Sequence, residues 1–301
     1  MKPNSENILD TSKFKIDDFN NVEFWDNTIK NLHTLLPSDL RSGLKTFDLD
    51  DNSIEFCKNL LVTEGFIKMP QLQWDNWFSD ISDGIKHLKK LNIPVPFIFA
   101  YCEPWLLASK LNVIIKKLLG EEYILLPDLW AWYVDPKNGD AGWGPHRDKG
   151  PHSLFENGKP KSLTLWIPLT DATTDNSCMY ILPANRDPSY LLGGFNREKI
   201  DMQNIVALPV NAGSPLIWNQ AVLHWGSRSL PRNITPRISL AFEVQIAKME
   251  PYNKPVINPT YIPKFEERIK LICKQILQYA HMYPLQPDLE SYAKKKLNLT
   301  Y

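Results

Sequence analysis

Ser162-Leu-Thr-Leu-Trp-Ile-Pro-Leu-Thr170 alternates without a break: Leu163, Leu165, Ile167 and Leu169 fall on one face, Ser162, Thr164, Trp166 and Pro168 on the other. Side chains of an extended chain point to opposite faces in turn, so this is a strand with one apolar and one polar side. Arg237 to Ile246 repeats the pattern, with Ile238, Leu240, Phe242, Val244 and Ile246 opposed to Arg237, Ser239, Ala241, Glu243 and Gln245. Short strands of this kind, broken by Gly, Pro, Asn and Asp and lacking the spacing a crossover helix needs, predict an antiparallel sandwich or jelly roll. The apolar face should pack under flanking helices and the polar face should line a cavity.

Outward from these strands, residues 122–247 read as the β core, 21–121 as mostly helical, 248–301 as a C-terminal helical segment and 1–20 as a loose tail. In the first helical region Trp105, Leu107, Leu111, Ile114, Ile115 and Leu118 recur at helical intervals, with Pro104 suited to the start and Gly120 to the stop. Beyond Pro263, Phe265, Ile269, Ile272 and Ile276 form another amphipathic helix, expected to cover a sheet face. The whole of 1–301 is read as one domain, and 43% hydrophobic residues are ample for its core.

Thirty-four basic and thirty-four acidic residues balance to zero. Nothing electrostatic therefore favours nucleic acid or an anionic membrane surface, and the expected partner is a small molecule. Cys57, Cys102, Cys178 and Cys273 lack C-x-x-C spacing, which argues against a zinc knuckle or redox dithiol and fits reduced thiols in a cytosol. Met1 to Asn20 has no apolar run of the secretory type, and no stretch approaches the roughly 20 apolar residues of a membrane span. A cytoplasmic location is expected, and the sequons at Asn233 and Asn298 are read as chance.

The chemistry concentrates in Trp143-Gly-Pro-His-Arg-Asp-Lys-Gly150. His146 and Asp148 are two residues apart, so in an extended segment imidazole and carboxylate share a face while Arg147 points away, out of the cluster or into a supporting pair. A second imidazole would complete a 2-His-1-carboxylate triad, which leaves adjacent coordination positions of iron open. His33, His87 and His281 lie among charged or polar neighbours in helical patterns, and His152 follows a Gly-Pro turn as a loop residue near the site. His224, in the apolar stretch Val222-Leu-His-Trp-Gly226, is the candidate third ligand. Thirteen residues on, Arg237-Ile-Ser239 puts a guanidinium and a hydroxyl side by side, a match for a carboxylate.

In this order, His146-Arg-Asp148, the strand Ser162 to Ala172, the turn and strand Asp175-Asn-Ser-Cys-Met-Tyr-Ile-Leu-Pro183, His224 and Arg237-Ile-Ser239 resemble the phytanoyl-CoA dioxygenase family of Fe(II) and 2-oxoglutarate dependent oxygenases. The likeness runs from about Leu61 to Ala247, opening with Leu61-Val-Thr-Glu-Gly-Phe-Ile67. It implies a catalytic domain with a double-stranded β-helix core, cupin-like and mainly β with flanking helices. It also implies Fe(II) held by His146, Asp148 and His224, and 2-oxoglutarate held through its distal carboxylate by Arg237 and Ser239. With O2 as co-substrate, such a site hydroxylates or otherwise oxidises a C–H bond and releases succinate and CO2. Halogenases related to this family lack the carboxylate ligand, so Asp148 implies oxidation instead of halogenation.

Thr164 and Trp166, on the polar strand face, are candidates to approach 2-oxoglutarate, and Trp132 and Trp143 to contact substrate. Core packing is the ordinary alternative for each of Trp130, Trp132, Trp143, Trp166, Trp218 and Trp225. Where the family often has Gly-Ser-His, this chain has Pro183-Ala-Asn-Arg-Asp187, so the resemblance bears on the metal and leaves the substrate open. Arg186 is either a surface loop residue or a contact for an anionic substrate group. Two other readings stand beside the oxygenase: a cupin-like Zn or Mn hydrolase or isomerase, and a non-catalytic metal-binding relative.

Overall fold

The computed structural model describes residues 14–38, 40 and 44–299. Its centre is a five-stranded antiparallel sheet of β1 (Phe66–Lys68), β2 (Tyr123–Val134), β3 (Ser162–Pro168), β6 (Leu216–Asn219) and β8 (Arg237–Ile246), in the order β1-β6-β3-β8-β2. Facing it is a three-stranded sheet of β4 (Met179–Leu182), β5 (Val206–Leu208) and β7 (Leu223–Gly226), in the order β5-β4-β7. This is the double-stranded β-helix with flanking helices, the jelly-roll class anticipated from the alternating strands.

Register explains the two faces. Leu165 stands opposite Phe242 on one side and Ile217 on the other, and Phe242 in turn faces Leu129. This apolar row is fully buried under the helical layer, where Phe99 meets the Phe242 ring edge-on at 5.5 Å. Each such side chain contributes about 1.5–3 kcal/mol by leaving water. The opposite face carries Thr164, Trp166, Ala241 and Glu243, and they line a cavity. Helix α6 (Phe265–Gln278) buries Ile269, Ile272 and Ile276, as its periodicity requires.

Three expectations need correction. Residues 16–20 form a short 3-10 turn instead of a loose tail: Phe19 is wholly buried, packed at a tilt against Trp25 and Phe97 with centroids 5.2 and 4.7 Å away. Residues 1–13 of that tail lie outside the described residues. The single helix expected from Trp105 to Leu119 is two, α4 (Glu103–Lys110) and α5 (Asn112–Leu119). The Lys110 carbonyl accepts from the Phe47 N–H at 2.8 Å instead of continuing the helical ladder, and ψ at Leu111 opens to −1°. Gly120 does stop α5, in the left-handed conformation at φ 69°. Finally, the mostly helical region contributes β1 to the sheet, because Phe66 to Lys68 pairs with Trp218 to Leu216.

Candidate metal centre

His146 and His224 are paired across two antiparallel segments: the His146 N–H donates to the His224 carbonyl at 3.1 Å, and the reverse bond is 3.0 Å. Directly opposed residues share a face, so the two imidazoles lie side by side with centroids 4.4 Å apart. The Gly226 N–H continues the pairing to the Trp143 carbonyl at 3.0 Å. This pairing needs glycine on both segments, since a Cβ on Gly226 would stand 2.6 Å from the Gly142 Cα. Asp148, two residues past His146, arrives on the same face.

Ligand-type atoms of His146, Asp148 and His224 all lie within 4.8 Å of one another. Asp148 Oδ1 is 3.3 Å from His146 Nε2 and 3.4 Å from His224 Nε2. Neighbouring ligands on an ion with bonds of about 2.0–2.2 Å stand at such separations. The remaining atoms are engaged elsewhere. His146 Nδ1 meets the Gly144 carbonyl at 2.8 Å and His224 Nδ1 the Val222 carbonyl at 3.2 Å, so in the neutral rings the proton sits on Nδ1 and the Nε2 lone pair faces the centre. Asp148 Oδ2 accepts from the Thr164 hydroxyl at 2.6 Å and from Trp218 Nε1 at 2.9 Å, which leaves Oδ1 inward.

Electrostatics prepare the same state. Burial alone would push the Asp148 carboxyl up, but the His224 and His146 imidazoles and the Thr164 hydroxyl hold it well below the usual carboxylate range. Burial pushes His224 down to about 4, so this ring is neutral at physiological pH and its lone pair is free. At His146 burial works in the same direction, but the Asp148 carboxylate outweighs it and raises the value above that of an ordinary imidazole. Two neutral-capable imidazoles and an ionised carboxylate form a donor set that fits a divalent ion of the iron type.

Arg237 lies in the same cavity, 1% exposed, with no carboxylate partner among the described residues. Nη1 donates to Ser239 Oγ at 2.6 Å, the guanidinium lies 5.5 Å from the Trp166 ring centre, and Nε is buried without an acceptor. Burial pulls it down to about 10, still a cation at neutral pH. A buried charge is costly unless it is paired, so this cavity fits an anionic ligand at Arg237.

Trp132 and Trp143 line the cavity, whereas Arg186 is exposed and does not. A 3-10 turn at Ala184–Arg186 turns its side chain to the surface, while the next residue, Asp187, goes inward to pair with Arg147 at 2.7 Å. Thr164 does not point at Arg237; its hydroxyl is committed to Asp148. Arg147 is the supporting pair foreseen for it, and His152 stays on the loop, edge-on to Tyr252 at 5.3 Å. Several lining residues were not singled out from sequence: Asp128, Tyr279, Gly142 and Gly226. Pro127-Asp128 inside the otherwise apolar run from Tyr123 to Val134 was the available signal for the first.

A family model described as phytanoyl-CoA dioxygenase (PhyH) matches residues 50–231. No curated protein matches the sequence. Among solved structures, the non-heme alpha-ketoglutarate dependent epimerase SnoN from nogalamycin biosynthesis superposes with a TM-score of 0.52 at 17% identity, covering 66% of this chain and 85% of its own. SnoN has also been solved in complex with Fe3+, alpha-ketoglutarate and nogalamycin RO, with a TM-score of 0.51 at 17% identity over 66% of this chain and 85% of that one. EctD from S. alaskensis with bound Fe gives a TM-score of 0.52 at 13% identity, covering 77% of this chain and 89% of that one. At these identities the likeness establishes a shared fold.

Proposed function

Because the chain belongs to the phytanoyl-CoA dioxygenase family, whose members use Fe(II), 2-oxoglutarate and O2, we propose that it is an oxygenase of that type, hydroxylating or otherwise oxidising a C–H bond of a small, polar metabolite. His146, Asp148 and His224 would hold the iron, and Arg237 with Ser239 the distal carboxylate of 2-oxoglutarate, with Trp166 beside it. The observation that carries this reading is the convergence of two Nε2 atoms and one Oδ1, each turned inward by a hydrogen bond on its other atom, in one cavity with a buried arginine that has no carboxylate partner among the described residues.

Bound together, iron, 2-oxoglutarate and O2 supply the oxidation, with release of succinate and CO2. The chain does the holding. Thr164 and Trp218 fix the rotation of the Asp148 carboxylate, and the Gly144 and Val222 carbonyls fix the tautomers of the two imidazoles. Arg237 provides the charge that orients the co-substrate, and Trp130, Trp132, Trp143 and Tyr279 keep water from the cavity wall. A hydrolytic Zn or Mn centre would leave the buried Arg237 without a purpose.

Anaerobic addition of Fe(II) and then 2-oxoglutarate should produce a weak visible metal-to-ligand band, and succinate release should rise with the right substrate. Asp148→Ala should remove both while far-UV circular dichroism stays unchanged. A well-folded wild-type protein that gives no band would overturn the proposal in favour of a different metal or a non-catalytic role.

A further inference from the structure

On the cavity side of β8, Arg237 and Glu243 are six residues apart, about 20 Å along an ideal strand. The two ends of that face carry opposite charge. Opposite Glu243, β2 is irregular: Leu125 pairs with Val244 and Leu129 with Phe242, so residues 126–128 bulge against a single partner. A bulge of this kind re-aims side chains, and here Asp128 joins Glu243 on the cavity lining. Asp128 is well supplied with donors, from Asn253 Nδ2 at 2.9 and 3.0 Å and Gln278 Nε2 at 3.1 Å.

Glu243 is held by an ion pair instead: Lys149 Nζ stands 2.9 Å from its Oε2, and 3.7 Å from Asp128. Two carboxylates thus share one lysine. In the oxygenase reading, the charges of iron(II), Asp148, 2-oxoglutarate and Arg237 balance one another, so nothing at the metal offsets the net negative charge that Asp128, Glu243 and Lys149 carry once both carboxyls are ionised. Beside the carboxylates are aromatic rings: Tyr279 packs on Trp130 at 4.8 Å and on Trp143 at 4.6 Å, and all three line the cavity. Carboxylates flanked by electron-rich ring faces form an environment for a cation. A carboxylate favours a cation that carries N–H over one that does not, because the charge then comes with a hydrogen bond.

We infer that Glu243 and Asp128, walled by Trp130, Trp143 and Tyr279, form a substrate subsite for a protonated amine or guanidinium, so that the oxidised metabolite is a basic one. This deepens the oxygenase reading and rests on it. Without a ligand, burial pushes Glu243 up to about 8, so its carboxyl is mostly protonated at neutral pH; an entering cation favours the ionised form, and the subsite carries its full charge only when occupied.

The test is calorimetry on anaerobic protein loaded with Fe(II) and 2-oxoglutarate, using n-butylammonium and n-butylguanidinium against n-pentanol and n-butyltrimethylammonium. The N–H cations should bind about tenfold or more tightly than either control, the scale of one charged hydrogen bond. Glu243→Gln should lower amine affinity about tenfold and leave the alcohol unaffected, whereas Lys149→Met, which removes the competing cation, should raise it. Equal binding of amine and alcohol, no saturable amine binding, or indifference to both substitutions overturns the subsite. The visible iron to 2-oxoglutarate band, recorded on the same samples, separates the two ideas. A normal band without amine preference sinks only the subsite, and a missing band sinks the oxygenase reading whatever the amines do.

Discussion

Thr164 and Trp218 do more for the centre than their distance from any open coordination position suggests. Both donate to Asp148 Oδ2, and together they leave the carboxylate one orientation with Oδ1 inward. Thr164→Val keeps the shape and deletes the 2.6 Å bond, so metal affinity should fall about ten- to a hundredfold, the usual effect of removing a ligand's orienting partner. Competitive Mn(II) titration measures this, and an unchanged affinity would show that packing alone orients Asp148. On the proposed anchoring of 2-oxoglutarate, Arg237→Ala would remove a charge-assisted pair worth about 1.5–3 kcal/mol. The 2-oxoglutarate requirement should rise by one to two orders of magnitude with metal affinity preserved. If the requirement is unchanged, the distal carboxylate of 2-oxoglutarate is not held by Arg237.

At the scale of the elements, the segment that carries His146 and Asp148 is tied to the loop after β4 through Arg147. Its Nε donates to the Gly194 carbonyl at 3.0 Å, Nη1 to the Ala221 carbonyl at 2.6 Å and Nη2 to Asp187 at 2.7 Å. Side-chain exposure of the ion pair is only 5% and 1%, so deleting one partner strands a buried charge. Arg147→Met should therefore cost about 3–5 kcal/mol in urea unfolding, and a loss below 1 kcal/mol would mean that the loop is held by other contacts. Alternation made β3 and β8 readable, down to which face carries Arg237, Ser239 and Glu243. It could not foresee the bulge at 126–128, because that irregularity exists only relative to the register of β8. The break at Leu111 was equally hidden: the Phe47 N–H that takes the Lys110 carbonyl lies 63 residues away in sequence.

Over the whole molecule, the centre is assembled from chain segments that are remote in sequence: residues 146–148, Thr164 on β3, Trp218 on β6, His224 on β7 and Arg237 on β8. The residue types and their order could be read directly, because ligand chemistry restricts them to a handful of side chains. The supporting atoms could not, since a Trp or Thr on a strand looks the same whether it packs or orients a ligand until the sheets are superposed. Convergence also links metal binding to folding: an unfolded chain offers no site, so an ion that binds only the folded form stabilises it by mass action. At a hundredfold excess over Kd this amounts to about 2.7 kcal/mol. Adding Mn(II) or anaerobic Fe(II) should thus raise the thermal midpoint of the wild-type protein in a concentration-dependent way. Asp148→Ala and His224→Ala should lose that dependence, including at metal concentrations that saturate the wild type. Stabilisation that persists in both variants would place the ion elsewhere in the molecule, and the two imidazoles and carboxylate would then be a hydrogen-bonded cluster of the core.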